Sequence, residues 1–169
     1  MALDLYGVII YPLIYILPAY AANAAPVLFG GGAALDMGRK FRGRRIFGSH
    51  KTVRGTASGV VAAAVLGIAY YIAVPSLSFM LPIAAMMGVG AMLGDLAGSF
   101  LKRQAGIKPG ASALVMDQYG FFVFAVALSS WLGHIPDLNG LVFLVVATGL
   151  LHVGTNRAAH MLRLKKVPW

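Results

Sequence analysis

The chain has 169 residues, 59 % of them hydrophobic and only 11 % charged, with a mean hydropathy of +0.80. Those values lie far outside a soluble domain and imply one compact membrane domain, residues 1–169. Fourteen Lys and Arg face five acids, all of them Asp, and the absence of cysteine excludes disulfides, thiolate metal ligands and a cysteine nucleophile.

Charge inside hydrocarbon is expensive, so uncharged runs of ~20 residues read directly as spans. The run between Asp4 and Asp36 is the first. No cleaved signal peptide is expected, because Met1-Ala2-Leu3-Asp4 lacks a basic segment and the apolar stretch behind it is span-length. Tyr6, Tyr11, Tyr15 and Tyr20 read as interface and packing residues, and Asn23 as an amide in the second half of the span. A basic loop follows, with Arg39, Lys40, Arg42, Arg44, Arg45, Lys51 and Arg54. The uncharged run between Arg54 and Asp95 is long enough for two spans, and Pro75, Ser76, Ser78 and Pro82 near its middle predict a helical hairpin.

The third span carries Gly90, Gly94 and Gly98 every four residues, a stripe that lets a neighbouring helix approach closely. Asp95, Ser99 and Lys102 fall within about 60° of one another on the same helix. A loop with Lys102, Arg103 and Lys108 leads to Asp117-Gln118, which opens a fourth span, and Asp137 to Arg157 encloses a fifth. The tail carries Arg157, Arg163, Lys165 and Lys166. The fold class predicted is an all-α integral membrane protein with five transmembrane helices. By the positive-inside rule its amino terminus lies outside and its carboxyl terminus in the cytoplasm, with cytoplasmic loops at about 36–55 and 101–117.

Basic residues so distributed suit anionic head groups and phosphate-bearing substrates rather than nucleic acid, at roughly 1 kcal/mol per residue near such a surface. Asp95 sits two turns inside the basic end of its helix, where a carboxylate needs a cation. Two partners fit: Lys102 as a plain ion pair, or a metal shared with Asp117, for which hard oxygen ligands suit Mg²⁺. The segment from Gly48 to Gly55 fails as a P-loop, since Ser49 and His50 separate Gly48 from Lys51-Thr52. It can still present backbone N–H groups, the Thr52 hydroxyl, Lys51 and Arg54 to phosphates. Arg42, Arg44 and Arg45 read as positive-inside anchors. Asp36 reads as a head-group or metal-shell carboxylate, or equally as a helix cap. His152, Asn156 and His160 form a stripe that resembles a metal face, but no acid accompanies it and interhelical hydrogen bonding is the commoner use.

The stretch Gly94-Asp95-Leu96-Ala97-Gly98-Ser99-Phe100-Leu101-Lys102-Arg103, with Asp117-Gln118 downstream, resembles the signature of membrane CTP-dependent cytidylyltransferases, the CDP-diacylglycerol synthases among them. The nearer similarity is to the small archaeal CDP-archaeol synthases. It rests on the five-span pattern, on Pro18-Ala19-Tyr20-Ala21-Ala22-Asn23-Ala24-Ala25-Pro26, and on Asp36-Met37-Gly38 leading to Gly48-Ser49-His50-Lys51-Thr52-Val53-Arg54-Gly55. Val53 stands where an aromatic is expected.

The resemblance implies transfer of CMP from CTP to an anionic isoprenoid glycerol-phosphate lipid, 2,3-bis-O-geranylgeranyl-glycerol 1-phosphate, at the cytoplasmic face of the cell membrane. It implies Mg²⁺ on Asp95 and Asp117, with Lys102 and Arg103 completing the catalytic set. Asn23, Asp36, Lys51, Thr52, Arg54, Ser99 and Gln118 are the expected substrate-binding residues; Asn23 itself suits either an interhelical hydrogen bond or, beside the carbonyls that Pro18 and Pro26 free, the cytosine edge. Two other classes stay open: a CTP-dependent polyprenol or isoprenoid-alcohol kinase, and a small non-enzymatic membrane transporter.

Overall fold

A computed structural model describes residues 4–107 and 113–161; Lys108, Arg163, Lys165, Lys166 and the side chain of Asn156 lie outside the described residues. The elements in chain order are α1 (Tyr11–Phe29, led in by a π-helical turn Tyr6–Ile10), β1 (Lys40–Phe41), β2 (Arg44–Arg45), α2 (Val53–Ala73), α3 (Met80–Gln104), α4 (Leu114–Ser129) and α5 (Leu138–Met161). Among the described residues four stretches are long and apolar enough to cross a membrane: Tyr6–Phe29, Val53–Ala73, Met80–Gln104 and Leu138–Thr155. The fourth helix, α4, has 16 residues and runs on into a 3₁₀ turn, Ser130–Leu132.

One local feature matches the sequence expectation and one departs from it. The hairpin turn falls where Pro75 and Pro82 predicted: α2 stops at Ala73, a 3₁₀ turn covers Pro75–Leu77, and Pro82 sits in the first turn of α3, where its missing N–H has no partner to lose. The departure is a two-stranded ribbon inside the basic loop, with Lys40 opposite Arg45 and Phe41 opposite Arg44. Arg42 and Gly43 both take positive φ (50° and 77°), the conformation that a two-residue hairpin requires.

Helix α1 carries Pro18 and Pro26 in its interior, and each lacks the N–H that would bond the carbonyl four residues upstream. The carbonyl that Pro18 leaves open is that of Ile14, and the Tyr70 hydroxyl on α2 donates to it at 3.1 Å. The carbonyl that Pro26 leaves open is that of Ala22, which faces Gly59 so closely that a methyl there would come within 2.8 Å of it. Tyr15 and Tyr20 act as cross-links as well as packing residues. The hydroxyl of Tyr15 meets Ser129 Oγ at 2.9 Å, and that of Tyr20 meets Thr148 Oγ1 at 2.8 Å.

At the centre lies α3, packed against α1, α2 and α4. Its Ile83, Met87, Ala91 and Met92 meet Tyr15, Ile16 and Ala22 of α1, Ala63 of α2 and Phe121, Phe122 and Ala125 of α4 in one core. The glycine stripe faces α4, running antiparallel: Gly90 lies on the backbone of Phe124 and Ala125, Gly94 on that of Gly120 and Phe121. Gly98, one turn on, faces the Met116 carbonyl with ordinary clearance. This packing fixes the position of Asp95 and Ser99 relative to the start of α4.

A Cβ at Gly94 would fall 2.2 Å from the Gly120 carbonyl oxygen, whereas one at Gly98 has 3.6 Å to Met116. Gly94→Ala should therefore lower the stability of detergent-solubilised protein by about 1–3 kcal/mol, the usual cost of overpacking. Gly98→Ala should be neutral or slightly stabilising. Thermal melts of the two variants check this, and equal melting temperatures would contradict the packing.

Candidate active site

The loop between α1 and α2 is organised by one buried acid. Asp36, whose side chain is closed off from solvent, pairs with the Arg45 guanidinium. It also accepts hydrogen bonds from the backbone N–H groups of Gly38 (3.0 Å), Phe47 (3.1 Å) and Gly48 (2.9 Å). The Arg45 guanidinium holds the carboxyl well below the usual carboxylate range; burial opposes this, and the amides of Gly48, Gly38 and Phe47 reinforce it. The expected substrate-binding carboxylate thus faces inward, and the Gly48 amide expected for phosphate is engaged by it.

The same loop is clamped to the end of α3. Arg44 donates to the Gln104 carbonyl and lies against Gly106, Phe41 packs on Phe100 with ring centroids 5.9 Å apart, and the Arg103 side chain runs past Gly48. A guanidinium on a helix's last carbonyls complements the negative end of its dipole. Arg44 and Arg45, read from sequence as membrane anchors, therefore bind protein groups instead, and Arg42 lies over the Phe41 ring at 5.5 Å. Their adjacent positions on a ribbon strand gave no hint of this, because Asp36 and Gln104 are brought to them only by the fold.

Where this loop enters α2, a polar cavity of about 220 Å³ opens beside the end of α1. Thr52 caps α2, its Oγ1 accepting from Gly55 N (3.1 Å) and Gly31 N (3.3 Å). The segment is held in register with the residues after α1 by Leu35 N–H to the Lys51 carbonyl (2.7 Å) and Val53 N–H to that of Ala33 (3.1 Å). With its backbone so fixed, Lys51 reaches across to α3, and its Nζ lies 2.6 Å from both carboxylate oxygens of Asp95. Lys51, Thr52 and Asp95 line the cavity with Pro26, Gly30 and Met92.

Asp117, in the first turn of α4, pairs with Lys102 and accepts a hydrogen bond from Ala113 N–H at 2.9 Å. The ion pair weighed from sequence, Asp95 with Lys102, is thus not the one formed. Lys102 turns to α4, and Asp95 takes its cation from the loop. Since Gly94 and Gly98 pack on Gly120 and Met116, Asp95 and Asp117 lie within a turn of each other's level on two touching helices. Among the described residues no group of three or more His, Cys, Asp or Glu converges. Two carboxylates on facing helices fit Mg²⁺, which takes one or two carboxylates and completes its shell with water and substrate phosphate.

The remaining expected residues sit around this centre. Ser99 is buried one turn beyond Asp95, Arg103 and Gln118 are half-buried, and Asn23 is half-buried on α1, one turn before Pro26 and Val27. Arg54 is exposed on the first turn of α2 and is not among the cavity's lining residues. Two residues that sequence reasoning passed over do line it, His50 and Thr56. Thr56 follows Thr52 by one helical turn, a spacing that could have signalled a shared face.

Comparison with known proteins gives a consistent result. The model of the family described as CarS-like CDP-archaeol synthase matches residues 5–169. The CDP-archaeol synthase of Pyrococcus furiosus is 43% identical over 159 residues, covering 92% of this chain and 95% of that one. That of Halobacterium salinarum is 41% identical and covers 99% of this chain and 100% of the relative. A solved structure of an intramembrane enzyme for archaeal membrane lipids biosynthesis superposes with a TM-score of 0.79 at 36% identity, over 85% of this chain and 91% of that one.

Removing the charge at Asp36 should undo the loop. Asp36→Asn leaves Arg45, a third exposed, without its anionic partner and weakens the bonds from the Gly38, Phe47 and Gly48 amides, and should cost roughly 1–3 kcal/mol locally. Hydrogen exchange at Phe47 and Gly48 should accelerate accordingly. Because the folded carboxyl titrates below its unfolded value of ~3.9, the wild-type protection is fully present above that pH and is lost as pH falls through the folded value. Equal exchange in variant and wild type at pH 7 would show that Asp36 does not organise the loop.

Proposed function

The chain belongs to the CDP-archaeol synthase family, and we propose that it transfers CMP from CTP to the phosphate of 2,3-bis-O-geranylgeranyl-glycerol 1-phosphate, giving CDP-archaeol and pyrophosphate. The observation that carries this reading is the meeting of Lys51 and Asp95 at a polar cavity, one turn from Ser99 and beside the Asp117–Lys102 pair.

The chemistry asks little of the protein beyond position and charge. A lipid phosphate oxygen attacks the α-phosphorus of CTP, the bond from that phosphorus to the β-phosphate bridging oxygen breaks, and pyrophosphate leaves. The nucleophile is already anionic, so no strong protein base is needed. Lys51 and the Thr52 hydroxyl face the triphosphate, while Lys102 and Arg103, at the end of α3, stabilise the departing pyrophosphate. Asn23, a turn deeper than the cavity wall, suits the cytosine edge, and Ser99 and Gln118 complete the polar lining. Arg54 contributes attraction from the rim. Asp95 and Asp117 would hold Mg²⁺, which supplies neutralisation of charge on the triphosphate. Orienting both substrates on fixed helices supplies the rest of the acceleration.

The membrane arrangement we adopt is five spans, α4 included, with the amino terminus outside and this site at the cytoplasmic face, where CTP is found. The distribution of Lys and Arg supports it.

Purified protein incubated with the lipid phosphate, Mg²⁺ and CTP labelled at the α-phosphorus should move label into the organic phase. Label at the γ-position should leave as pyrophosphate. Asp95→Asn and Asp117→Asn should each lower that transfer by about 10²–10³-fold or more while the protein still inserts. Together they should cost little more than either alone. Lipid labelled from the γ-position, or normal transfer by Asp117→Asn, would contradict the reading.

A further inference from the structure

We infer that Lys51 is a placeholder on Asp95: in the free protein its ammonium occupies the face of the carboxylate that a divalent ion takes, and incoming triphosphate draws it off. This deepens the proposed function and rests on the reading of Asp95 as a metal ligand.

Three observations carry it. The contact is two-sided, with Nζ at 2.6 Å from each oxygen of Asp95, so the ammonium sits where a cation bridging both would sit. The lysine is free to leave without any change of fold. Its backbone is pinned by Leu35 N–H at its carbonyl and by the bridge between Ala34 and Thr52, so only the flexible four-carbon stem needs to swing. The destination is adjacent, since Lys51 and Asp95 both line the cavity with Thr52 and His50. A second ammonium–carboxylate pair joins α3 to α4, with Lys102 on one oxygen of Asp117.

The consequence is electrostatic. The two ammonium groups cancel the charge of the two carboxylates, which lowers their attraction for a lone divalent ion, while Arg103 and Arg54 keep the surroundings positive. A nucleotide with its own divalent ion exchanges partners on both sides: the lysines pass to the triphosphate as the carboxylates pass to the metal. Nucleotide and metal then bind as coupled events, each raising the affinity of the other.

The test reads Mn²⁺ binding by electron paramagnetic resonance on the full-length, detergent-solubilised protein, with neither nucleotide nor lipid present. With the resident ammonium removed, Lys51→Gln and Lys51→Met should bind Mn²⁺ about tenfold more tightly than wild type, within the usual range of coupling between sites. Lys40→Gln, at an exposed ribbon position, removes the same charge farther away and should change the affinity less than threefold. Added CTP should then tighten Mn²⁺ in wild type by a larger factor than in either Lys51 variant. Should both variants fail to fold, wild type alone decides. Saturating Mn²⁺ should raise the reactivity of Lys51 toward an amine-modifying reagent, followed by mass spectrometry.

Unchanged or weaker Mn²⁺ binding in folded Lys51→Gln would overturn the placeholder, as would an equal rise in Lys40→Gln or a Lys51 reactivity indifferent to Mn²⁺. Because no turnover enters the measurement, failure here is distinct from failure of the transfer reaction, which shows as absence of CMP in lipid.

Discussion

A bare charge in hydrocarbon costs several kcal/mol, and every other feature of this protein is arranged around that cost. The described acids at the basic end each have a cation: Asp36 has Arg45, Asp95 has Lys51, and Asp117 has Lys102. The two acids at the opposite end cap helix starts instead, Asp4 accepting from Gly7 N–H and Asp137 from Gly140 N–H. The ionic pairs are thus gathered where loops can deliver arginines and lysines, and the chemistry is gathered with them. For the pair of Lys51 and Asp95, with side chains about a third exposed (29% and 30%), the attraction is partly screened. Its value lies in what it positions more than in what it adds to stability.

Packing converts that constraint into a site. Gly90 and Gly94 let α4 lie against the backbone of α3, which brings Asp117 to the level of Asp95 and Ser99. Pro18 and Pro26 open carbonyls on α1, and α2 answers with the Tyr70 hydroxyl and with the bare backbone of Gly59. Between these closely packed helix ends a cavity opens where the chain is kept short of side chains, at Gly30, Gly31 and Gly55, and that is where Lys51 and Asp95 meet. The basic loop closes over the end of α3 as a folded lid of the bundle, with Asp36 as its internal anchor.

Much of this was legible in the sequence because hydropathy, glycine spacing and helical periodicity are local signals. The hairpin turn at Pro75, a glycine face for some neighbouring helix and the placement of Asp95 and Asp117 on consecutive helices all followed from such patterns, though not that the neighbour is α4. Partner choice did not. Lys102 sits seven residues from Asp95 on the same helix face, yet α4 brings it a nearer acid, and the cation of Asp95 comes from 44 residues away. Arg44 and Arg45 looked like lipid anchors because nothing local reveals that Gln104 and Asp36 await them. The ribbon was missed because two-residue strands carry no periodicity, although Arg42-Gly43 between them was a turn signal. The shortness of α4 was hidden by the uncharged 3₁₀ turn that continues it.

If charge alone sets the arrangement, then both basic loops must lie on one side of the membrane and both helix connections at the other end on the opposite side. The native chain has no cysteine, so single cysteines introduced at Ser49, Ala105, Ser78 and Asn139, all exposed, report their own side cleanly. In sealed right-side-out vesicles an impermeant thiol reagent should label positions 78 and 139 at once, and positions 49 and 105 only after the membrane is opened. Labelling of all four from the same side, or of 49 and 105 from opposite sides, would contradict the five-span arrangement and the single-faced site built on it.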